Sequence, residues 1–506
     1  VLALLSQVVI LLADVFHHYK RKLFRTIRPR AYLKQALDRA PNFAQYEDVA
    51  ERLDYEVGND VWRRNPISRK YDHRVITSRI TKLRRARSEN DLPALLYMLR
   101  SGLLRNLANI GEKKLYNRSY LGTKLLIQEY TSEVMQCLEY VRQQQTSEIL
   151  TTEKKLQFFR DTRQSYGQSA LILQGGVTFG MFHLGVVKAL WEQEILPSVL
   201  CGTGVGALVA AIVCMTPDYQ LPKLLYEDYI DFSAYETRVD GSGSFLRRIK
   251  RFWHEGYLLD TEVLAQLCRD NLGELTFEEA FQRTNRVLNI TVSSTAKSRT
   301  PALLNYLTTP HVLIWTAALA SNSLPGLFEP VSLLGKDETG RVVPWQPFNE
   351  TKFHIHATTG TPYNRISELF NVNNFITSQA RPYLAPFLSS PLHRHARRGL
   401  YLKIISVLAL ELSHRTKQLA NAGLIPLSVL WANPSIHDAV DTQQSELTLV
   451  PELTAGDFSR LLMSPTNDAL RYWRTKGERA TWPAMACLRV RCLIEMTLKE
   501  GFEALR

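Results

Sequence analysis

The sequence predicts an α/β protein whose mainly parallel sheet lies between helical regions at the two ends of the chain. Short apolar runs alternate with helical patterns between residues 169 and 390, and this order is typical of a parallel sheet with buried strands. Glycine-rich turns follow two of the runs, at residues 175–180 and 202–206. Apolar positions with helical spacing dominate before residue 150 and after residue 391.

Composition and charge limit the class of protein. The chain has 506 residues, of which 45% are hydrophobic and 22% charged, which excludes wholesale disorder, collagen and coiled-coil architectures. Lys and Arg number 62 against 49 Asp and Glu, so the net charge is +13. Such a surface favours an anionic partner, either nucleic acid or lipid head groups. The six cysteines have no paired spacing, so we predict a reducing compartment.

Residues 1–30 are predicted to be an apolar membrane-associated segment with a basic flank. Residues 1–16 are almost continuously apolar, but a bilayer-spanning helix needs about 20 residues. The segment is therefore interpreted as the end of a longer span, an interfacial helix or a buried helix. The basic and aromatic flank suits the cytosolic surface of an anionic membrane. The chain begins at Val1 rather than Met, which is consistent with a fragment.

A helical N-terminal domain is predicted over residues 31–150. Residues 91–100 and 125–140 carry helical apolar spacing, and Asp91 is a suitable N-cap with Pro93 in the first turn. Basic clusters at 63–64, 69–70 and 82–87 are interpreted as solvated helix faces or, alternatively, as a phosphate-binding surface.

The central region repeats the order strand, glycine turn and helix. In the first unit, a strand at 170–173 precedes a helix at 181–194, and in the second a strand at 197–201 precedes a helix at 207–215. Further strands are predicted at 287–292 and 375–377, with a helix at 312–320 between them.

The two glycine turns carry the candidate chemistry. Residues 175–180 place backbone N–H groups and a helix N-terminus around one point, which can hold an anion; the alternative is a turn that needs glycine for steric reasons. The loop lacks the Lys and Ser/Thr of a nucleotide-binding P-loop. Gly202 and Gly206 frame a nucleophile elbow, in which a sharp turn exposes the central residue. That residue is Gly204, which has no nucleophilic side chain.

Around these turns the chain resembles the patatin-like phospholipase family, and within it the fungal and plant triacylglycerol lipase branch. The motifs that carry the resemblance are residues 117–124, 175–190, 310–330, 367–373 and 477–483. The resemblance implies a three-layer patatin-like α/β domain over residues 151–390, with a helical C-terminal extension over 391–506. It also implies a Ser-Asp dyad and a glycine-rich oxyanion loop that act on acyl esters at lipid surfaces, with no cofactor and no metal.

Carried over residue by residue, the resemblance assigns the oxyanion loop to Gly175, Gly176 and Gly180, the nucleophile position to Gly204 and the acid position to His354. Both members of the dyad are then absent. We therefore predict a homologue acting in lipid metabolism with impaired catalysis, which binds lipid or regulates another protein. The expected partners are a lipid or acyl-ester ligand, an anionic membrane or lipid-droplet surface, and an active lipase relative, with no nucleic acid. The expected location is the cytosolic face of the endoplasmic reticulum or a lipid droplet.

The alternative hypothesis is an active acyl hydrolase or acyltransferase with a non-standard nucleophile. The candidates are Cys201, Thr203, Ser321 and Ser323. An acyltransferase pattern is not matched by residues 437–441, which are one residue too short. His354 and His356 lack a third metal ligand.

Residues 245–253 and 393–412 are basic and apolar, so they are further candidates for lipid contact. Nucleic-acid binding is a third hypothesis, without a recognition motif.

Overall fold

The structure is a computed structural model that describes residues 28–145, 150–176, 178–227, 261–294, 302–323, 328–345, 353–355, 363–381, 447–454, 456–457 and 466–506, with residues 411, 415 and 418. The segments predicted to contact lipid at 1–16, 245–253 and 393–410 lie outside the described residues, as do His356 and residues 437–441. No helix in the described part of the chain has the length and apolarity that a bilayer crossing requires.

The N-terminal region is helical, as predicted. Its helices are α1 (Arg28–Arg39), α2 (Phe43–Val57), α3 (Asn59–Arg64), α4 (His73–Ser88), α5 (Leu92–Gly102), α6 (Leu125–Gln143) and α7 (Thr152–Tyr166). The predicted start of α5 is confirmed, because the Asp91 side chain accepts a hydrogen bond from the Ala94 N–H at 3.1 Å and proline occupies the first turn.

Two buried charged side chains hold this helical region together. The Asp54 carboxylate accepts hydrogen bonds from the backbone N–H groups of Tyr120 and Leu121 and from the Asn59 side chain. The Lys124 ammonium donates to the carbonyl oxygens of Trp62 and Asn65. Since each group is almost fully buried, these hydrogen bonds offset its cost of desolvation.

The basic cluster at 82–87 is partly neutralised by α6. Arg84 and Arg87 both form salt bridges with Glu133, whose side chain is 3% exposed. Arg85 pairs with Glu89, the residue that follows α4. These contacts favour a structural interpretation of the cluster.

The central sheet confirms the predicted α/β class. Its strands are β1 (Gln168–Gln174), β2 (Val199–Thr203), β3 (Val287–Ser294), β4 (Ala302–Leu304), β7 (Phe353–Ile355), β8 (Val372–Gln379) and β9 (Leu447–Leu449). The order is β4-β3-β2-β1-β8-β9, and β7 pairs with β3 on the edge opposite β4, beyond the point where β2 ends. Five strands run parallel, whereas β4 and β7 are antiparallel to β3. A separate hairpin consists of β5 (Leu334–Lys336) and β6 (Val342–Pro344).

Helices cover both faces of the sheet and make three layers. The remaining helices are α8 (Phe182–Trp191), α9 (Val205–Met215), α10 (Leu221–Tyr226), α11 (Thr261–Leu272), α12 (Phe277–Thr284), α13 (Ile314–Asn322), α14 (Tyr363–Phe370), α15 (Asn467–Thr481) and α16 (Met485–Leu505). Because side chains alternate along a strand, Leu171 and Leu173 pack into the core of α8 and α9, whereas Ala170 and Ile172 pack against α14.

The C-terminal extension contains two long helices, as predicted, and one strand that was not predicted. Residues 447–449 form β9, which pairs in parallel with β8 and adds a strand to the sheet. Three residues are too few to produce a strand signal in the sequence, and the parallel neighbour supplies the hydrogen bonds. The helix α15 then packs against α8 so closely that a Cβ on Gly185 would lie 1.9 Å from the Arg474 carbonyl oxygen.

A buried polar network joins the helical regions to the start of the sheet. The guanidinium of Arg105, from the N-terminal region, pairs with Glu495 of α16 at 3.1 Å and also contacts Ser169 of β1. The other oxygen of Glu495 accepts the backbone N–H of Ser169 at 2.8 Å. The two charged side chains are 11% and 8% exposed, so the pair bridges the three regions in a poorly hydrated environment.

Candidate active site

The turn between β2 and α9 has the backbone of a nucleophile elbow. β2 ends at Thr203 and α9 begins at Val205, so Gly204 alone makes the turn. Its backbone has φ 64° and ψ −135°, a combination that is strained for residues with a side chain. A sharp strand-to-helix turn of this kind exposes its central residue at the top of the sheet. In this chain that residue contributes backbone only.

The glycines on either side are required by close packing. A Cβ on Gly202 would lie 2.4 Å from the Ala207 Cα, and one on Gly206 would lie 2.3 Å from the Leu173 carbonyl oxygen. Both distances are far below van der Waals contact, and the obstructing atoms are backbone. The elbow therefore brings the first turn of α9 directly against the ends of β1 and β2.

The end of α13 fastens the elbow. The Gly204 N–H donates to Ser321 Oγ at 3.1 Å, and Ser321 Oγ donates to the Thr291 carbonyl oxygen at 2.9 Å. The side-chain amide of Asn322 donates to the Gly204 carbonyl oxygen at 3.0 Å. Both polar groups of the Gly204 backbone thus have side-chain partners, and the turn is held in one conformation.

The glycine loop after β1 lies against this elbow. Gly175 and Gly176 have φ values of 73° and 88°, which favour glycine. A Cβ on Gly176 would lie 2.4 Å from the Gly180 nitrogen, and one on Gly180 would lie 2.4 Å from the Val205 Cβ. The structure therefore brings the predicted oxyanion glycines together with the elbow.

Only part of this loop is available to bind an anion. The Gly175 N–H donates to the Thr203 carbonyl oxygen at 2.9 Å, which extends the pairing of β1 with β2 by one residue. The Gly175 amide is therefore committed to the scaffold. An anion held at this loop would therefore not be bound by the Gly175 amide.

A buried histidine lies beneath the loop, and the sequence analysis did not single it out. His183, in the first turn of α8, has no exposed surface, and its Nδ1 forms a hydrogen bond with Ser378 Oγ of β8 at 2.8 Å. Burial lowers the pKa of His183 to about 4, although the backbone of Gly175 and Gln174 acts in the opposite direction. Its Nε2 has no hydrogen-bond partner among the described residues. The imidazole is therefore neutral at physiological pH.

A second polar group at the ends of β1 and β8 was also missed by the sequence analysis. The Gln379 side-chain amide donates to Gln174 Oε1 at 2.9 Å. The hydroxyls of Tyr363 and Thr377 are 3.0 Å apart. The side chain of Arg381, two residues after β8, packs against the glycine loop. Its Cγ lies 2.2 Å from the position that a Cβ on Gly175 would occupy.

Known proteins with similar sequences show which family has this elbow and glycine loop. The profile described as "Domain of unknown function (DUF3336)" matches residues 23–164, and that described as "Patatin-like phospholipase" matches residues 171–346. Triacylglycerol lipase ptl1 from Schizosaccharomyces pombe is 36% identical over 463 residues, which cover 90% of this chain and 82% of that protein. The chain belongs to the patatin-like phospholipase family.

A second triacylglycerol lipase supports this assignment. Triacylglycerol lipase ptl3 from Schizosaccharomyces pombe is 32% identical over 478 residues, covering 94% of this chain and 97% of that protein. The crystal structure of type III effector protein ExoU is 20% identical and covers 32% of this chain and 41% of that chain, with a TM-score of 0.20. The two lipases and the patatin-like profile show that the chain is a patatin-like homologue of triacylglycerol lipases.

The family resemblance places the acid of the dyad at His354. This residue is the middle of β7, and its backbone pairs with Ser293 of β3. Val292 of β3 pairs with both Ala302 of β4 and Ile355 of β7, so these two strands lie on opposite edges of β3. Since β2 pairs with the β7 edge as far as Ile290, β7 lies beyond the end of β2, on the edge of β3 at which the elbow begins. The side chain of His354 lies outside the described residues.

The substitute nucleophiles considered in the sequence are all engaged or buried. Thr203 Oγ1 lies 2.6 Å from Thr291 Oγ1, and Ser323 Oγ donates to the Leu319 carbonyl oxygen one turn earlier. Cys201 is fully buried in β2, and burial raises the pKa of its thiol to about 12. Ser321 is committed to the elbow, as described above. Among the described residues, none of the four has a hydrogen bond to a histidine or carboxylate that would activate it.

Metal chemistry was not predicted from the sequence. No group of three His, Cys, Asp or Glu side chains in the described part of the chain is arranged to hold a metal ion. The six cysteines are all buried and unpaired with one another.

Proposed function

We propose that this chain binds acyl lipids at a patatin-like site without hydrolysing them through the family's Ser-Asp dyad. The observation that carries the proposal is Gly204, which makes the elbow turn with φ 64° and ψ −135°. In this family the residue at that turn is the nucleophile. Glycine supplies neither an oxygen nor a sulfur atom, so an acyl-enzyme cannot form there.

The second dyad position supports the same proposal. His354 takes the place of the family's aspartate, in a segment remote in sequence from Gly204. A nucleophile without its base is weak, and a base without a nucleophile has nothing to deprotonate, so the dyad acts as a unit. Changes at both positions are expected when the requirement for hydrolysis has been relaxed.

The retained features favour binding over loss of all function. The glycines of the oxyanion loop and of the elbow remain, and the packing around them leaves no room for larger residues. The relatives are named triacylglycerol lipases, so we propose an acylglycerol or related acyl lipid as the ligand. We further propose that the basic protein acts at a membrane or lipid-droplet surface on the cytosolic side, where it regulates an active relative.

An assay with the purified full chain tests the proposal. Triolein and a phosphatidylcholine are supplied in mixed micelles, and fatty-acid release is compared with a control without protein. We expect release at the background rate, and binding of the same lipids by fluorescence. Turnover well above background that disappears in Gly176→Val would overturn the proposal.

Two further measurements separate the proposal from an active enzyme with another nucleophile. A fluorophosphonate probe should leave the wild-type chain unlabelled, and labelling of a mapped Ser, Thr or Cys would support that alternative. The double variant Gly204→Ser/His354→Asp should gain probe labelling, whereas each single variant should gain little. A folded double variant without labelling would contradict the assignment of Gly204 and His354 to the dyad.

A further inference from the structure

We propose that Trp473, in the C-terminal extension, is a positioning residue for lipid binding that fixes the glycine loop through Phe179. The inference rests on the proposed function, because it takes residues 175–180 as part of the lipid site. It goes beyond that function by giving a role to the C-terminal extension, which lies outside the residues 171–346 that match the patatin-like profile. The lipid site is then completed by an element from the far end of the chain.

An aromatic contact joins the glycine loop to α15. Phe179 belongs to the short helix Thr178–Met181, which overlaps the loop, and it has no exposed surface, whereas Trp473 is 2% exposed. The two ring centroids lie 4.7 Å apart with an interplanar angle of 42°. Aromatic pairs at this distance attract each other beyond the effect of the area that they bury. The loop is therefore in specific contact with α15.

The position of Phe179 decides how the loop meets the elbow. Gly180, the next residue, packs so closely against the first residue of α9 that a Cβ on Gly180 would lie 2.4 Å from the Val205 Cβ. The start of the loop is held separately, by the hydrogen bond from the Gly175 N–H to the end of β2. Phe179 thus anchors the second half of the loop, directly before the glycine that contacts the elbow.

α15 is fixed against α8 close to Trp473. A Cβ on Gly477 would lie 2.2 Å from the Phe182 carbonyl oxygen, so the two helices are in backbone contact one turn beyond Trp473. Lys188 of α8 and Glu478 of α15 form a salt bridge of 2.9 Å, and their side chains are 12% and 7% exposed. Because packed interiors have low compressibility, the indole of Trp473 has a fixed place beside the loop.

A buried ion pair adjoins the Trp473 ring. The Lys476 ammonium lies 5.1 Å from the Trp473 ring centroid and 4.7 Å from that of Tyr472. The same ammonium bonds to one oxygen of the Asp457 carboxylate at 2.6 Å, and the Tyr472 hydroxyl donates to the other oxygen at 2.7 Å. The Asp457 side chain is 2% exposed, so this pair is weakly screened by solvent. Trp473 therefore contacts both Phe179 and a fixed cation, which together set the orientation of its ring.

Trp482 supplies a matched control for Trp473. It directly follows α15 and is also 2% exposed, but its ring contacts that of Tyr46 in α2, at 5.5 Å between centroids. Trp473→Leu and Trp482→Leu each remove one buried indole from the C-terminal extension. The first removes the contact with Phe179, and the second removes a contact with the N-terminal helices. Trp473→Phe is the conservative variant, because it keeps an aromatic ring beside the loop.

Hydrogen exchange of the full chain, followed by mass spectrometry, tests the positioning without any ligand. In Trp473→Leu the amides of residues 178–184 should exchange about 3- to 10-fold faster than in the wild type, the range that corresponds to the loss of an aromatic pair. Trp482→Leu should change these rates by less than about twofold, and Trp473→Phe should stay close to the wild type. Equal acceleration in both leucine variants, or none in Trp473→Leu, overturns the inference.

Binding of a monoacylglycerol with an NBD fluorophore on its acyl chain relates the positioning to function. We expect Trp473→Leu to weaken the affinity by about 3- to 10-fold, whereas Trp473→Phe and Trp482→Leu should change it by less than about twofold. In the wild-type chain the same lipid should slow exchange in residues 467–481 as well as in 178–184, because coupling between two sites is reciprocal. Protection confined to 178–184 overturns the inference, and this measurement needs no variant to fold.

The two sets of measurements separate this inference from the proposed function. A wild-type chain that binds no acyl lipid contradicts the proposed function, and the exchange comparison without ligand still decides whether Trp473 positions the loop. Lipid binding that is unaffected by Trp473→Leu overturns the inference and leaves the proposed function intact.

Discussion

Replacing Gly204 with alanine tests the geometry of the elbow independently of any catalytic assignment. The change adds one methyl group at a residue whose φ is 64° and ψ is −135°. No nucleophile or polar group is introduced, so the expected effect is worked from the backbone conformation. We expect Gly204→Ala to fold and to be less stable than the wild-type chain.

The expected magnitude follows from two opposing contributions. Holding a residue with a side chain in a sparsely populated backbone region costs about 1–3 kcal/mol. Replacing glycine also reduces the conformational entropy of the unfolded chain, which stabilises the folded state by about 0.4–1 kcal/mol. The free energy of unfolding should therefore fall by about 1–2 kcal/mol. The family's serine at this turn would carry a similar strain.

Urea unfolding followed by tryptophan fluorescence measures this difference, provided that the slopes of the two transitions agree. Gly456→Ala is the control, since a Cβ on Gly456 meets nothing within 4 Å and its φ lies outside the left-handed region. We expect that variant to stay within about 0.5 kcal/mol of the wild-type value. A Gly204→Ala protein at least as stable as wild type would show that the turn does not adopt this conformation.

Three further predictions concern the scaffold around the site. The pKa of buried His183 falls from 6.5 to about 4 on folding, so between these pH values the unfolded chain binds one more proton than the folded chain. The free energy of unfolding should therefore fall by about 3 kcal/mol as the pH drops from 6.5 to 4. In His183→Gln this part of the pH dependence should vanish, and an unchanged dependence of the unfolding free energy on pH would contradict the burial of His183. Glu495→Gln should cost about 3–5 kcal/mol because it removes the carboxylate that pairs with the largely buried Arg105 charge. The double change Arg105→Met/Glu495→Met should cost less than the sum of Arg105→Met and Glu495→Met, and additive losses would refute the coupling. Gly185→Ala should lower the thermal midpoint well below that of Gly456→Ala, because its Cβ would collide with the Arg474 carbonyl oxygen; equal midpoints would show that α8 and α15 are not in close contact.

Local signals made most of the fold predictable. The apolar runs at 170–173 and 287–292 lie within β1 and β3, and the run at 197–201 overlaps β2, because buried parallel strands need consecutive apolar residues. β2 continues to Thr203, two residues into the predicted turn. The Asp91 cap and the two glycine turns were likewise recognisable, since each depends on residues within a few positions. The short strands β4, β7 and β9 were not predicted, because three residues acquire strand structure only from the neighbour with which they pair.

The polar surroundings of the site required the tertiary structure. His183 bonds to Ser378, which is 195 residues further along the chain. Ser321 reaches the Gly204 amide across 117 residues. Spacing in the sequence contains no information about such pairs, because their geometry depends on which strands become neighbours in the sheet.

The sequence by itself determined that the elbow position is glycine and that the charge balance is +13, since these are properties of residue identity. It also indicated the family, because the motifs are continuous segments. The tertiary structure decided that Gly204 makes the turn with positive φ, that the Gly175 amide is committed to Thr203, and that Arg381 crosses the glycine loop. These facts follow from strand order: β1 lies between β2 and β8, so one crevice receives residues from segments that are far apart in the chain.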